Sequence, residues 1–227
     1  MNKYVRLNRL KEYIRPDSYL LDIGTDHGIL PVSVYEENIT NKILATDISD
    51  KSLKKLRDKI KEKELNIETI VTDGLNNIEL TNITDIVISG MGGILIKEIL
   101  EKRIDELKDK RLILSPQSGL YDLRKFLIEN GFSIIIEDMV YEDGKYYNIL
   151  ICEVLKEEKY SDFEYIFGKL SNQKSKDVYL DKLNFEKNIR ENLLEKIGDS
   201  KKALNRKNEL KRELNLIEEA IKCLLEN

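Results

Sequence analysis

Between about residues 19 and 155 the chain repeats one pattern, a short run rich in Ile, Leu and Val followed by a stretch of helical character. The runs at 19–23, 42–46, 67–71, 83–89 and 111–115 are short and rich in Ile, Leu and Val with few polar interruptions, and segments such as 51–64 and 93–106 separate them. A strand that is apolar on both faces must be covered on both, which is the condition of a parallel sheet between two helical layers. Two further β-rich runs, 132–140 and 146–155, are joined by a segment holding Asp143-Gly144. That dipeptide accepts positive φ readily and marks a hairpin. The order predicts an α/β fold: β-α five times, then β-β, a doubly wound parallel sheet ending in an antiparallel pair.

After residue 155 glycine and proline almost vanish, and Lys, Glu, Asn and Leu dominate. The chain therefore divides into residues 1–155, holding the sheet and an N-terminal helix, and a helical tail, 156–227. Ala203, Lys207, Leu210, Leu214, Ile217, Ile221 and Leu224 follow alternating steps of four and three, a heptad seam broken at Lys207. The stretch 174–197 carries Tyr179, Leu183, Ile189, Leu193 and Ile197 at looser helical spacing, and Gly198-Asp199-Ser200 supplies a stop and a cap. So short a connection predicts an antiparallel coiled-coil hairpin. A dimerising coiled coil is the alternative, but the seam is short for it, and a monomer is expected.

Composition excludes several classes. With 41% hydrophobic and 35% charged residues over 227 positions, the chain can build a core and is not disordered. No apolar run approaches a membrane span, and the start lacks a signal peptide's apolar stretch. Cys152 and Cys223 do not make a disulfide framework, and reduced thiols in a cytoplasmic protein are expected. No metal is expected. A formal charge of -4 gives no global pull on nucleic acid. Any polyanion site must be local, and residues 1–15 carry Lys3, Arg6, Arg9, Lys11 and Arg15 against Glu12 alone.

The chemistry gathers where runs end. The first passes through Asp22-Ile23-Gly24-Thr25-Asp26-His27-Gly28 into a helix whose first turn holds Pro31. Such a turn lets backbone approach a ligand closely. Its spacing is not G-x-G-x-x-G, so a dinucleotide's pyrophosphate has no cradle, and the Asp22 carboxylate would repel phosphate. Asp47-Ile48 closes the second run, where a carboxylate can accept from both ribose hydroxyls; the helix cap falls to Ser49 or Asp50. Asp73-Gly74 follows the third run, within reach of an adenine amine. Together these acids specify a nucleoside cofactor without phosphate, while for the first turn alone a bland βα turn with a buried strand-end Asp is the alternative. Ser89-Gly90-Met91-Gly92-Gly93 follows the fourth run and gives a reacting group room; it is not the Asp/Asn-Pro-Pro-Tyr/Phe of methylases acting on exocyclic amines.

With Asp22-Ile23-Gly24-Thr25-Asp26-His27-Gly28, Pro31, Asp73-Gly74-Leu75 and Gly90-Met91-Gly92-Gly93 in place, the sequence resembles the bacterial tRNA (adenine(22)-N(1))-methyltransferases along nearly its whole length. The resemblance implies a Rossmann-like class I methyltransferase fold, S-adenosylmethionine as cofactor, tRNA as partner and a tail that helps hold it. It departs from the family at Asp47, where Glu is common, at Ser115-Pro116-Gln117, where a Gln-Pro-Asn-like triplet is expected, and at Phe167-Gly168-Lys169, which lacks a proline. The implied site holds the cofactor by Asp22, Gly24, Thr25, His27, Gly28, Asp47, Ile48, Asp73, Gly74, Ser89, Gly90 and Met91.

Adenine N1 has an in-plane lone pair and needs no base, so positioning and electrostatics should dominate. Asp26 is the candidate catalytic residue, stabilising positive charge that develops on the ring; a helix cap is its plainer alternative. His27, the only histidine, reads as orienting the turn. Arg6, Arg9 and Lys11 are expected to contact RNA, with Gly92, Gly93 and Pro116 beside the substrate and Arg206, Lys207 and Arg212 contributing from the tail. One of Tyr146 and Tyr147 is a candidate to stack on a flipped base, with ordinary packing as the alternative for each alone. A class I methyltransferase for a small molecule or protein, and a non-catalytic RNA-binding module, are the competing readings.

Overall fold

The computed structural model describes residues 4–25, 27–156, 159–198 and 201–226. Strands β1 (Tyr19–Ile23), β2 (Lys42–Asp47), β3 (Ile67–Val71), β4 (Asp85–Ser89) and β5 (Arg111–Ser115) run parallel, and β6 (Ser133–Glu142) and β7 (Lys145–Glu153) form the hairpin. The sheet order is β3-β2-β1-β4-β5-β7-β6, with β7 antiparallel to both neighbours.

Continuous apolar runs are explained by the two cores they feed. Leu21, Ile23, Ile86, Ile88, Leu112 and Leu114 face helices α4 (Gly93–Glu101) and α5 (Leu120–Glu129). Their neighbours Leu20, Ile43, Val87, Ile113 and Ile151 face the other layer, α1 (Val5–Lys11), α2 (Ile29–Glu36) and α3 (Asp50–Lys63). Side chains alternate across a strand, so both sets are buried only when helices cover both faces.

Element ends differ slightly from the sequence expectation. The fourth strand begins at Asp85, not at 83, because the fully buried Asp85 carboxylate receives the Arg15 backbone N–H at 2.9 Å and Arg15 Nε at 2.8 Å. The hairpin turn contracts to Asp143-Gly144, at φ 49° and 80°, so Tyr141 pairs with Tyr146 and Glu142 with Lys145. Two consecutive positive-φ residues match the right-handed strand twist, which lets both strands run to the turn.

In the tail, α6 (Asp162–Phe167) opens on a reciprocal Ser161/Glu164 capping box, and α7 (Lys176–Lys196) and α8 (Lys201–Glu226) follow. Lys187–Glu218 and Arg190–Glu213, each at 2.8 Å, fix α7 and α8 antiparallel. Leu210, Ile217 and Leu224 of the seam are buried. Ile189 and Leu193 are not on it: they are 42% and 45% exposed, because with Phe185 they form an i, i+4 stripe turned away from α8.

The tail core of Phe167, Tyr179, Leu183, Ile217 and Leu224 also takes in Met139 of β6, with Tyr146 of β7 packed against it. Beneath it, Arg124 of α5 reaches Glu137 of β6 at 2.7 Å and the carbonyls of Tyr165 and Ile166 at 3.0 and 2.9 Å. Both charged side chains are buried. The tail is thus fastened to the sheet by packing and by the carbonyl bonds of an arginine that is itself held in a buried ion pair.

Candidate functional site

The sheet reverses its winding between β1 and β4, and a crevice opens beyond the carboxyl ends of the strands at such a switch point. Here it is a cavity of about 520 Å³. Its floor comes from strand ends: Asp22, Gly24 and Thr25 after β1, Asp47 after β2, Ser89, Gly90 and Met91 after β4. The backbone N–H groups of Gly24 and Thr25 both donate to the Thr46 carbonyl, at 2.8 and 3.0 Å, which pins the first turn against β2. Gly24 has φ +77°, and a Cβ there would stand 2.1 Å from Met91 Cε. The strand ends leave glycine as the residue that fits.

Asp22 is 3% exposed. Burial, with Asp47 adding repulsion against a downward pull from Thr25, pushes its carboxyl up to about 6. A carboxylate held this way favours a cation beside it. Asp47 accepts the Ser49 backbone N–H at 2.7 Å, while Ser49 Oγ caps α3 by accepting from Ser52 at 3.4 Å. Capping is thus the work of Ser49, and Asp47 faces the cavity.

Arg6 enters the same cavity, from α1. Its Nε and Nη1 are buried without a hydrogen-bond partner among the described residues, and its guanidinium lies 4.8 Å from the Tyr147 ring centroid. A buried cation so placed calls for an anion, since the desolvated charge is otherwise uncompensated. Glu142, at the end of β6, also lines the cavity and accepts the Val5 backbone N–H at 2.6 Å. Neither contact has a local sequence signal: Glu142 and Val5 are 137 residues apart.

Other expected site residues are engaged elsewhere. Gly28 caps α2 at φ +65°, and a Cβ there would meet Leu56 Cδ1 at 2.4 Å; it lets α2 pack on α3. His27 lies beside α3, its carbonyl accepting from Lys59 at 2.9 Å and its Nε2 3.5 Å from Lys55 Nζ. Ile48 is 72% exposed. Asp73 faces Lys102 at 3.3 Å, and a Cβ on Gly74 would stand 3.1 Å from Ile99, so these two serve the approach of α4. None of the five lines the cavity.

On the expected substrate side, Gly93 is buried and a Cβ would stand 2.6 Å from the Gly119 carbonyl oxygen, which makes it a packing glycine. Gly92 precedes it as the α4 cap. Pro116 is buried. Arg9 pairs with the buried Asp138 at 3.0 Å. Lys11 is 8% exposed, bonded to Ser33 at 2.7 Å and to Glu37. Acids of β6 and of the α2 C-cap thus pair with these two cations, which were expected to face RNA. Arg206 is likewise held by Glu209 and Glu213, at 2.9 and 3.2 Å; Lys207 is half-buried and Arg212 exposed. Asp26 lies outside the described residues.

A second cavity, of about 440 Å³, lies beside the first and shares Gln117 with it. Tyr146, Tyr147, Lys182 and Phe185 line it. The Tyr146 ring sits 4.8 Å from Tyr141 and 6.2 Å from Phe185, centroid to centroid.

A family described as a methyltransferase domain matches residues 4–150. The chain belongs to that methyltransferase-domain family. Over 151 residues it is 34% identical to the tRNA (adenine(22)-N(1))-methyltransferase of Bacillus subtilis, an alignment spanning 65% of this chain and 63% of that protein, less than two thirds of the relative's length. The whole fold, tail included, is similar to the crystal structure of a Streptococcus pneumoniae protein described as a putative tRNA (m1A22) methyltransferase, at TM-score 0.86 and 29% identity over 97% of this chain and 99% of that one. The same S. pneumoniae protein in complex with S-adenosyl-L-methionine matches at TM-score 0.81 and 28% identity, over 95% and 98%. The methyltransferase domain proper accounts for the sheet and the cavity, and the solved structures extend the likeness through α8.

Proposed function

We propose that this chain is an S-adenosylmethionine-dependent enzyme that methylates N1 of adenine 22 in the D-arm region of tRNA, acting as a monomer in the cytoplasm. The observation that carries the reading is the cavity's charge arrangement, acids and an arginine whose Nε and Nη1 lack a hydrogen-bond partner among the described residues, around a glycine-lined floor with no phosphate cradle. Likeness to methyltransferases along nearly the full chain supports the substrate. The monomer is supported by the seam, whose Leu210, Ile217 and Leu224 are buried within the chain's own hairpin.

The residues present fit the cofactor. Asp22, buried and without a cation partner among the described residues, suits the ammonium of its amino-acid arm, and Arg6, with orphaned Nε and Nη1, suits the carboxylate. Asp47 suits the ribose hydroxyls. When bound, S-adenosylmethionine supplies an electrophilic methyl group. The protein's part is to orient and to exclude water: Ser89, Gly90 and Met91 shape the wall between donor and base, and the N1 lone pair requires no proton removal. Asp26 is assigned to hold the charge that develops on the adenine. Asp26→Ala should lower kcat by orders of magnitude and leave cofactor Kd nearly unchanged; near-normal turnover would remove it from the mechanism.

Incubating unmodified tRNA with enzyme and cofactor, then digesting and mapping nucleosides, tests the whole reading. N1-methyladenosine at position 22 is expected, with binding that weakens steeply as salt rises. Methylation of another substrate class with no tRNA product would overturn it.

A further inference from the structure

Among the described residues Gln117 is the one that lines both cavities, and it stands on the loop after β5. That loop is fixed by backbone bonds, not by its side chain: Gln117 N donates to the Met91 carbonyl at 2.8 Å, Gly90 N to Ser115 at 3.2 Å, and Gly93 N to Ser118 at 2.7 Å. The Gln117 side chain is exposed, and its Nε2 lies 3.9 Å from where a Cβ on Gly90 would stand. A fixed backbone therefore presents an amide at the passage between the donor-side cavity and the aromatic groove of Tyr146, Tyr147 and Phe185.

Resting on the proposed methylation of adenine N1, we infer that Gln117 reads the target base along its Hoogsteen edge. The reaction itself dictates which edge is available. N1 must face the methyl donor, so the Watson–Crick edge cannot be used for a bidentate contact. What remains is N6–H, a donor, beside N7, an acceptor. A glutamine amide matches that pair, Oε1 accepting from N6–H and Nε2 donating to N7, whereas guanine offers two acceptors on the same edge. The aromatic groove supplies a face on which an extruded base stacks, and stacking alone does not distinguish bases. Specificity for adenine then falls to the amide at the passage.

The test couples a protein change to a base change. tRNA is prepared with adenosine or 7-deazaadenosine, which lacks the N7 acceptor, at the methylated position. For the native enzyme, 7-deazaadenosine should lower kcat/KM by about 2- to 13-fold, half in free energy of what a whole bidentate base contact gives. Gln117→Leu should show a comparable loss on adenosine and little further loss on the analogue. Gln117→Glu sets a carboxylate against the N7 lone pair, so it should methylate the 7-deaza tRNA better than the ordinary one, a reversal that no packing role produces. Cofactor affinity by calorimetry should be unchanged in both variants. Equal rates on both tRNAs with the native enzyme, or losses that multiply in Gln117→Leu, would overturn the assignment while leaving the methylation reading intact. If ordinary tRNA acquires no N1-methyladenosine, it is the methylation reading that fails.

Discussion

On the proposed reading, Asp22 ties cofactor capture to pH. Its carboxyl, raised by burial to about 6 from an ordinary 3.8, is more basic folded than unfolded. It adds stability at low pH that is lost as pH rises through about 6. A bound ammonium favours the carboxylate and pulls the pKa back down, so binding should expel a proton. Calorimetry at pH 6 in buffers of different ionisation enthalpy should therefore report release of up to roughly half a proton per site, fading by pH 8 and absent in Asp22→Asn. Arg6 gives the complementary prediction. If it holds the carboxylate, Arg6→Met should weaken S-adenosylmethionine about 10-fold or more, in line with a charge-assisted hydrogen bond, and leave 5′-methylthioadenosine, which lacks the amino-acid arm, unaffected. An equal loss for both ligands would return Arg6 to the RNA side.

The elements meet at positions where a single atom decides the fit. Gly93 puts α4 against the loop before α5 so closely that a Cβ would strike two carbonyl oxygens, at 2.6 and 2.7 Å. Backbone cannot rotate aside as a side chain can. Gly93→Ala should cost about 1–3 kcal/mol, read as a lower midpoint in urea, with cofactor affinity falling because the Ser89–Met91 wall shifts too. The junction of sheet and tail poses a similar question for charge. Arg124→Met alone strands the buried Glu137 carboxylate and should cost about 3–5 kcal/mol, while Arg124→Met with Glu137→Leu should recover much of it. If both variants unfold alike, Arg124 acts through its bonds to the Tyr165 and Ile166 carbonyls instead.

At the scale of the molecule the tail is partly core and partly projection. Deleting it whole would uncover Met139 and Tyr146, so the informative change is smaller. Excising 191–212 and closing the gap with a short glycine turn keeps the Lys187–Glu218 and Arg190–Glu213 pairs and the packing below them. Cofactor affinity should stay as it was, and tRNA affinity should fall with a shallower salt slope, in proportion to the phosphate contacts removed. Unchanged tRNA affinity would confine RNA contact to the sheet domain and the base of the tail.

Strand order, the two helical layers, the hairpin turn at Asp143-Gly144 and the floor of the cavity were all legible in the chain itself. Periodicity and the rule that ligands sit at carboxyl ends of strands are local, so Asp22, Gly24, Asp47 and the Ser89–Met91 segment follow from them. The folded molecule alone decided how the remaining groups are used. Arg9 meets Asp138 across 129 residues of sequence and Lys11 meets Glu37 across 26, pairings that carry no period. Gly28 and Gly93 read as ligand glycines until the partners they touch, Leu56 and the Gly119 carbonyl, come into view. Arg6, Glu142 and Gln117 reach the cavities from three distant segments. A sequence pattern records how each element faces its own core, but which charges end up side by side depends on how the elements are stacked.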